Sequence, residues 1–208
     1  GGAPRLDHIL VAYCADDSYD YDQGYHGYGQ YWVAIQDPAD ADRCGEHDGG
    51  DDNELGRPFA HPIIMNATYV GSGISGKRMI TFRDNAGGEY HQSIFVNQDK
   101  GIDIEYLGDA EDDDSHSRYL DDSLKIVNSI FYNIADDATA SMLSISAPEG
   151  TTVPAGAEDA LDASFTAWGN TIADPGVVTD NPTPTGDVNF DGTKAALPDW
   201  FETTNFIG

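Results

Sequence analysis

The sequence predicts an α+β protein with a β-rich N-terminal half, two amphipathic helices packed on it, and an extended C-terminal strap. Three observations predict this class. Short apolar runs bounded by aspartate, glycine or proline recur over the first hundred residues, helical apolar spacing follows in two later stretches, and proline, threonine and asparagine dominate the stretch before Gly186. A chain of 208 residues is long enough for a sizeable core.

Most of the first half is predicted to form strands. The apolar runs at 8–13, 31–35 and 63–70 have the length and composition of buried strands. The alternating segments at 77–83 and 89–96 flank an Asn-Ala-Gly-Gly turn, so we expect a hairpin there. A further alternating segment at 102–106 predicts a neighbouring strand.

Two later segments are predicted to be helices. From 118 to 134, apolar residues recur at spacings of 4, 3, 4 and 3, which places them in one stripe: Leu120, Leu124, Val127, Phe131 and Ile134. The second helix is expected from about Glu158 to Trp168, with Leu161, Phe165 and Trp168 as its buried stripe. We therefore expect a β-rich domain over 1–150 and a second unit over 151–208 that holds the later helix and the strap.

The charge of the chain restricts its partners. The sequence has 37 acidic against 10 basic side chains, for a net charge of −27. Such a chain repels nucleic acid and anionic lipid, and no apolar run is long enough for membrane insertion. The acidity suits either concentrated salt, where the Debye length falls to about 3 Å, or an extracellular medium rich in divalent cations. Both alternatives predict an extracellular or cell-surface location.

The two cysteines have two interpretations. An even count in an extracellular chain favours a disulfide between Cys14 and Cys44, which would stabilise the fold by about 3.5 kcal/mol. Alternatively, Cys44 and His47 have a spacing that lets one metal ion reach both side chains, with His26, His61 or His91 as further ligands. Separately, Asn66-Ala67-Thr68 is a possible glycosylation site.

A segment near the C-terminus reads Asp-Val-Asn-Phe-Asp-Gly-Thr from 187 to 193. It resembles the EF-hand calcium loop and, in its Asp-Val-Asn residues, the dockerin loop of secreted bacterial proteins. The resemblance covers about a dozen residues and implies bound calcium, with these ligands: Asp187, Asn189, Asp191, Thr193 and Asp199. Pro198 occupies position 12, where the family has a carboxylate, so an Asx-rich turn that caps a helix is the alternative. The last dozen residues also resemble the ends of secreted bacterial proteins of unassigned function.

A loop rich in tyrosine and aspartate is the candidate ligand site. Its tyrosines are Tyr19, Tyr21, Tyr25 and Tyr28. A tyrosine ring can stack on a sugar while a nearby carboxylate accepts hydrogen bonds from the sugar hydroxyl groups, whereas packing of half-buried tyrosines at a sheet edge is the simpler explanation. In the same loop, Asp20 and Asp22 lie on one side of an extended segment and could share a cation.

No catalytic residue is assigned, because the sequence contains none of the common nucleophile, phosphate-binding or zinc-protease motifs. The leading prediction is therefore a non-enzymatic extracellular assembly protein, such as a filament, sheath, surface-layer or adhesion subunit, adapted to high salt or divalent cations. Its expected partners are further copies of itself or other cell-surface molecules. The alternative is a secreted glycan-binding or glycan-hydrolysing protein that uses the loop rich in tyrosine and aspartate.

Overall fold

The computed structural model describes residues 1–50, 55–108 and 113–177. The strands in the first part are β1 (Arg5–Ala12), β2 (Tyr19–Tyr21), β3 (Tyr28–Ile35), β4 (Gly45–Asp48), β5 (Ile63–Met65), β6 (Thr68–Val70) and β7 (Arg78–Arg83). The later strands are β8 (Gly88–His91), β9 (Ile94–Gln98), β10 (Lys100–Glu105), β11 (Leu124–Val127), β12 (Ile130–Ile134), β13 (Leu143–Ser146) and β14 (Thr171–Ile172). The two α-helices are α1 (Ser115–Leu120) and α2 (Ala157–Ala167).

The chain winds in coils, and each strand pairs in parallel with its equivalent in the next coil. One coil consists of β5, β6 and β7, the next of β8, β9 and β10, and the third of β11, β12 and β13. The result is a nine-stranded sheet with two arms and a five-stranded sheet in the order β13-β10-β7-β4-β2. This architecture is a parallel β-helix, so the predicted α+β fold, with two helices packed on a β-rich half, is wrong.

The predicted hairpin over 77–96 is also wrong. β7 belongs to the five-stranded sheet and pairs with β10, whereas β8 lies in the nine-stranded sheet between β5 and β11. Asp84 and Asn85 adopt positive φ values of 52° and 65° between the two strands. Residues that tolerate this conformation suit a corner of a coil as well as a hairpin turn, so the turn chemistry could not distinguish the two.

The long helix predicted over 118–134 is replaced by a short helix and two strands. α1 ends at Leu120, and β11 and β12 follow it. In β11, Leu124 and Ile126 point into the core at a spacing of two. A corner at Asn128, with a φ of 49°, then interrupts the inward–outward alternation of side chains before β12. Two alternating strands joined by such a break therefore give apolar residues at the spacing of a helix.

The second predicted helix is present as α2, and it closes one end of the core. Its Leu161 and Phe165 are buried, and the Phe165 ring lies 5.1 Å from that of Phe131 in β12. Phe131 in turn contacts Phe95, one coil earlier, at 5.0 Å. A column of aromatic rings therefore runs along the axis and ends against α2. The division of the chain at residue 150 stays a prediction.

A row of residues in the left-handed conformation divides the nine-stranded sheet into two arms. The first arm holds β5, β8 and β11, the second holds β6, β9, β12 and β14, and β1 and β3 run through both. One residue per coil occupies this corner, with φ between 48° and 57°: His8, Tyr31, Asn66, Gln92 and Asn128. Strand register aligns these residues along the axis, because the pairs on either side of the corner are in step from coil to coil. The left-handed conformation costs an L-residue roughly 1–2 kcal/mol, and asparagine tolerates it best.

Buried hydroxyl groups satisfy the backbone just past this corner. The amide of Ala67 donates to Ser93 Oγ at 3.1 Å, and the amide of Ser93 donates to Ser129 Oγ at 3.1 Å. The amide of Ser129 then donates to Asn170 Oδ1 at 2.8 Å. The bend interrupts strand pairing, so side chains from the next coil accept these amide protons instead.

Among the described residues, no helix is long and apolar enough to span a membrane.

The corner predicts a contrast between two substitutions of half-buried Gln92, whose φ is 48°. Gln92→Val should lower the free energy of unfolding by about 1–2 kcal/mol relative to Gln92→Gly, because a β-branched residue resists positive φ and glycine does not. Urea denaturation of both variants measures the difference. Equal stabilities would show that the corner is not constrained at this coil.

Candidate functional site

Three carboxylates meet on the outer face of the five-stranded sheet, near the N-terminal end of the solenoid. Asp20 in β2 lies directly opposite Glu46 in β4, and Asp48 lies two residues further along β4 on the same face. One carboxylate oxygen from each of the three lies within 4.8 Å of the other two. Parallel pairing produces the cluster, because side chains of equal register in adjacent strands stand side by side.

Two arginines hold this cluster in place. Arg83 donates to Asp48 from Nε at 2.7 Å and from Nη2 at 3.3 Å, a two-point contact that orients the carboxylate. The Oε1 atom of Glu46 lies 2.8 Å from Arg43 Nη1 and 3.2 Å from Arg83 Nη1. Asp20 is exposed and is the carboxylate most open to a ligand.

Proton affinity differs within the group. Burial, reinforced by the negative charge of Asp17, raises the pKa of Glu46 to about 7 against the opposing effect of Arg43 and Arg83. Burial and the charge of Asp48 likewise raise the pKa of Asp20. Glu46 is therefore about half protonated at neutral pH beside two other carboxylates on the same face, and acid–base chemistry uses such differences in proton affinity.

An aromatic cleft of about 310 Å³ adjoins the carboxylates. Its lining residues are Gly1, Leu6, Ile9, Tyr19, Asp20, Tyr21, Asp22, Tyr25 and Trp32. The rings of Tyr19 and Trp32 are stacked with centroids 4.8 Å apart, and Tyr21 and Tyr25 are tilted at 5.7 Å. The Tyr25 hydroxyl is buried with no hydrogen-bond partner among the described residues. Asp20 lines the cleft and belongs to the carboxylate cluster, so the two features form one site.

The tyrosines of the loop rich in tyrosine and aspartate differ in burial from the predicted ligand site. Tyr19 and Tyr21 are buried in the core instead of forming an exposed platform, and their hydroxyl groups donate to backbone carbonyls. Tyr28 is half-buried, with the Arg5 guanidinium over its ring. Tyr25, also half-buried, is the tyrosine of this loop whose hydroxyl is left over for a ligand. Asp20 and Asp22, predicted to share a cation, both line the cleft.

The cysteines are free thiols in the structure, so the predicted disulfide between Cys14 and Cys44 is not formed. Cys44 lies in the core with no exposed surface, and burial raises the pKa of its thiol far above the ordinary value. The alternative metal site also lacks free ligands. His47 Nδ1 lies 2.8 Å from the Glu46 carbonyl and Nε2 lies 2.7 Å from the Tyr90 hydroxyl, and burial lowers the pKa of His47 to about 3.

Two of the histidines that were predicted as further metal ligands contact the Glu89 carboxylate instead. His61 Nε2 lies 3.1 Å from one Glu89 oxygen, His91 Nε2 lies 2.9 Å from the other, and Lys125 Nζ lies 3.6 Å from the second oxygen. Burial opposes ionisation of Glu89, but the hydrogen bonds from both histidines hold its pKa well below the ordinary value. The cluster joins adjacent coils on the first arm of the nine-stranded sheet.

The remaining candidate residues lie away from this site. Asn66 is buried at the corner, where its Oδ1 accepts from Gln30 at 3.0 Å, so a glycan has no room there in the folded chain. The proposed calcium ligands lie outside the described residues: Asp187, Asn189, Asp191, Thr193 and Asp199. Calcium at that loop stays a prediction.

Sequence reasoning missed Glu46, Arg43, Arg83 and Trp32 as members of the site. Glu46 and Arg43 were hidden in a run with many acidic residues and few apolar ones, which resembled a solvated loop. The available signal was the alternation in Gly45–Asp48, where Glu46 and Asp48 share a face opposite to that of His47. Only knowledge of parallel stacking could have brought Asp20 beside them.

The Glu89 cluster predicts a pH-dependent stability. Because the pKa of Glu89 is depressed in the folded state from its usual 4.5, its contribution is complete above pH 4.5 and is lost as pH falls further. Glu89→Gln should therefore lower the free energy of unfolding by about 1–3 kcal/mol at pH 7, with a smaller deficit at pH 3. Denaturation at both pH values measures this, with exposed Glu149→Gln as the control. A deficit independent of pH would contradict the assigned ionisation.

Comparison with known proteins agrees with the architecture. Residues 1–173 match the family model described as a pectate-lyase-like beta helix domain. No curated protein matches the chain, and neither does any solved structure. The match covers the coils, the corner row and the carboxylate site derived above. The chain belongs to the pectate-lyase-like β-helix family.

Proposed function

We propose that this chain is a secreted glycan-binding and glycan-hydrolysing protein whose ligand occupies the cleft at the N-terminal end of the solenoid. The observation that carries the proposal is the position of Asp20, which lines the aromatic cleft and belongs to the cluster with Glu46 and Asp48. A sugar ring offers an apolar face to aromatic side chains and hydroxyl groups to carboxylates. The cleft provides both kinds of surface.

Binding in the cleft would use Tyr25 and Asp20. The buried Tyr25 hydroxyl has no partner among the described residues, and a sugar hydroxyl that reached it would satisfy it. Burial also raises the pKa of Tyr25 to about 12, so the group remains a donor at any physiological pH. The exposed Asp20 carboxylate would accept hydrogen bonds from a second sugar hydroxyl.

Cleavage would use Glu46 as the proton donor and Asp20 as the second carboxylate. Glycoside hydrolysis needs one carboxyl group that is protonated at the working pH and one that is ionised. The raised pKa of Glu46, about 7, suits the first role. The exposed position of Asp20, with oxygens of the cluster within 4.8 Å, suits the second and is closer to the spacing of retaining than of inverting enzymes.

The net charge narrows the class of glycan. At −27 the chain repels a polyanionic sugar over long range, and Arg43 and Arg83 already contact Glu46 and Asp48. A neutral glycan meets no such barrier, whereas a uronate polymer would need salt or a divalent cation to screen it. We therefore propose a neutral glycan as the ligand.

The extracellular location is part of the same proposal, and it is supported by the family match and the acidic composition. Self-association with further copies, in a filament, sheath or surface layer, stays a prediction about partners. The family match supports the glycan proposal more directly than it supports assembly.

Binding should depend on Tyr25. Against a panel of neutral and acidic polysaccharides, we expect Tyr25→Ala to weaken binding of the preferred glycan about tenfold or more, because a stacked ring and a hydroxyl contact are both lost. The matched control is Tyr132→Ala, which replaces a half-buried tyrosine in β12 on the second arm of the nine-stranded sheet. Isothermal titration calorimetry measures both. An unchanged affinity in Tyr25→Ala, or no binding to any member of the panel, would refute the cleft as the site.

Cleavage should depend on Glu46. Glu46→Gln should reduce release of reducing ends about 100-fold or more while glycan binding persists, because general acid catalysis contributes about that factor. In the wild type the rate should fall as pH rises through about 7, where Glu46 loses its proton. Exposed Asp159→Asn on α2 is the control. A Glu46→Gln variant with full activity would exclude the proton-donor role and leave a glycan-binding function.

A further inference from the structure

The second arm of the nine-stranded sheet has an apolar outer face that runs along the whole solenoid. In register, one outward column consists of Leu10, Val33, Thr68, Ile94 and Ile130. A neighbouring column consists of Ala12, Ile35, Val70, Val96 and Tyr132. An apolar outer face of this length needs a cover, because water-exposed columns of aliphatic side chains are unfavourable.

A strap after β14 covers the middle of this face. The amide of Ala173 still donates to the Phe131 carbonyl at 3.1 Å, beside β12. Four residues later, Val177 packs with Val70, Ile94 and Val96, each of which is about 1% exposed. The strap has therefore crossed from β12 towards β6, which is the direction of the N-terminal coils.

Beyond the strap, the same face becomes exposed towards the N-terminal coils, because Val33 in β3 is half-buried and Leu10 in β1 is open to solvent. Leu10 is 63% exposed, and a shallow groove of about 260 Å³ lies around it. The groove is lined by His8, Ile9, Leu10, Tyr31 and Val33. Thr68, Val33 and Leu10 occupy the same register position, so the groove is a direct continuation of the surface on which Val177 lies.

We propose that the C-terminal segment of this chain, residues 178–208, continues along the strap and docks in the groove formed by β1 and β3. Two strand spacings separate β6 from β1, about 10 Å, which roughly three extended residues can span. The segment begins at the point where Val177 faces the N-terminal coils, and its length far exceeds that distance. A segment of 31 residues is therefore long enough to reach the groove.

The segment carries the side chains that the groove requires. Its large apolar residues are Val178, Val188, Phe190, Leu197, Trp200, Phe201, Phe206 and Ile207. Val178 follows Val177 directly in the sequence. The aromatic residues offer larger groups for the space beside Leu10 and Tyr31. The acids of the segment would meet His8, a basic side chain that lines the groove.

Photo-crosslinking of the full chain tests the proposal. A benzophenone amino acid replaces Leu10, and in a separate sample it replaces Leu120, an exposed leucine on α1 that serves as the control. After irradiation, the monomer is isolated by size and its crosslinked peptides are identified by mass spectrometry. We expect a crosslink from position 10 to a peptide within 178–208 in the monomer, and none to that segment from position 120.

A second measurement does not rely on the probe. Hydrogen exchange in residues 178–208 should accelerate at least tenfold in the double variant Leu10→Asp/Val33→Asp, while exchange in β7 to β12 stays unchanged. A crosslink from position 10 to a second chain, or protection that grows with protein concentration, would overturn the proposal in favour of docking between copies. Absence of any crosslink, or a segment unprotected in the wild type, would overturn it as well.

Discussion

Parallel pairing between successive coils, held in one register, is the constraint on which the rest of the molecule depends. A slip of one residue would exchange the inward and outward side chains of a strand. Phe95 and Phe131 would then leave the core, and the outer faces would lose their ordered columns. The left-handed corner and the buried serines oppose such a slip, because each accepts only one residue per coil at one position.

The two ends of the solenoid differ, because a helix covers the C-terminal end whereas a cleft lies near the N-terminal end. At the C-terminal end, α2 places Leu161 and Phe165 against the last coil and covers the aromatic column. At the N-terminal end, the core rings of the first coils border a cleft instead. Tyr19, Tyr21 and Trp32 therefore serve both the core and the cleft wall. A rigid aromatic wall of this kind loses little conformational entropy when a ligand binds.

Much of the local structure could be predicted from the sequence, whereas the architecture could not. The apolar runs around 31–35, 63–70 and 102–106 do form strands, and α2 lies where helical spacing predicted it. The failure at 118–134 shows the limit: two strands joined by a left-handed Asn128 imitate the period of a helix. Whether a turn residue reverses the chain or bends it into the next coil depends on long-range pairing, which a local pattern does not contain.

The candidate site shows the same limit for function. Asp20 was visible as an acid that could share a cation, but Glu46 and Asp48 become its neighbours only through the parallel register of β2 and β4. A count of acidic residues therefore does not show which acids lie together, whereas the register of the strands does. Every coil repeats the same positions, so a site on a solenoid is read across strands and not along the chain.

The distribution of positive charge supports this view of the acidity. Arg43, Lys77, Arg78 and Arg83 all contact acids on or beside the five-stranded sheet, although the whole chain has only 10 basic side chains. Carboxylates that stack one strand apart repel each other across about 4.8 Å. This face therefore requires basic side chains to balance its charge, whereas a surface with dispersed acids does not. Glu46 remains hard to ionise even with two arginines beside it. The acids that the arginines contact are thus set apart from the rest of the negative charge, because ion pairs hold them at fixed positions on one sheet.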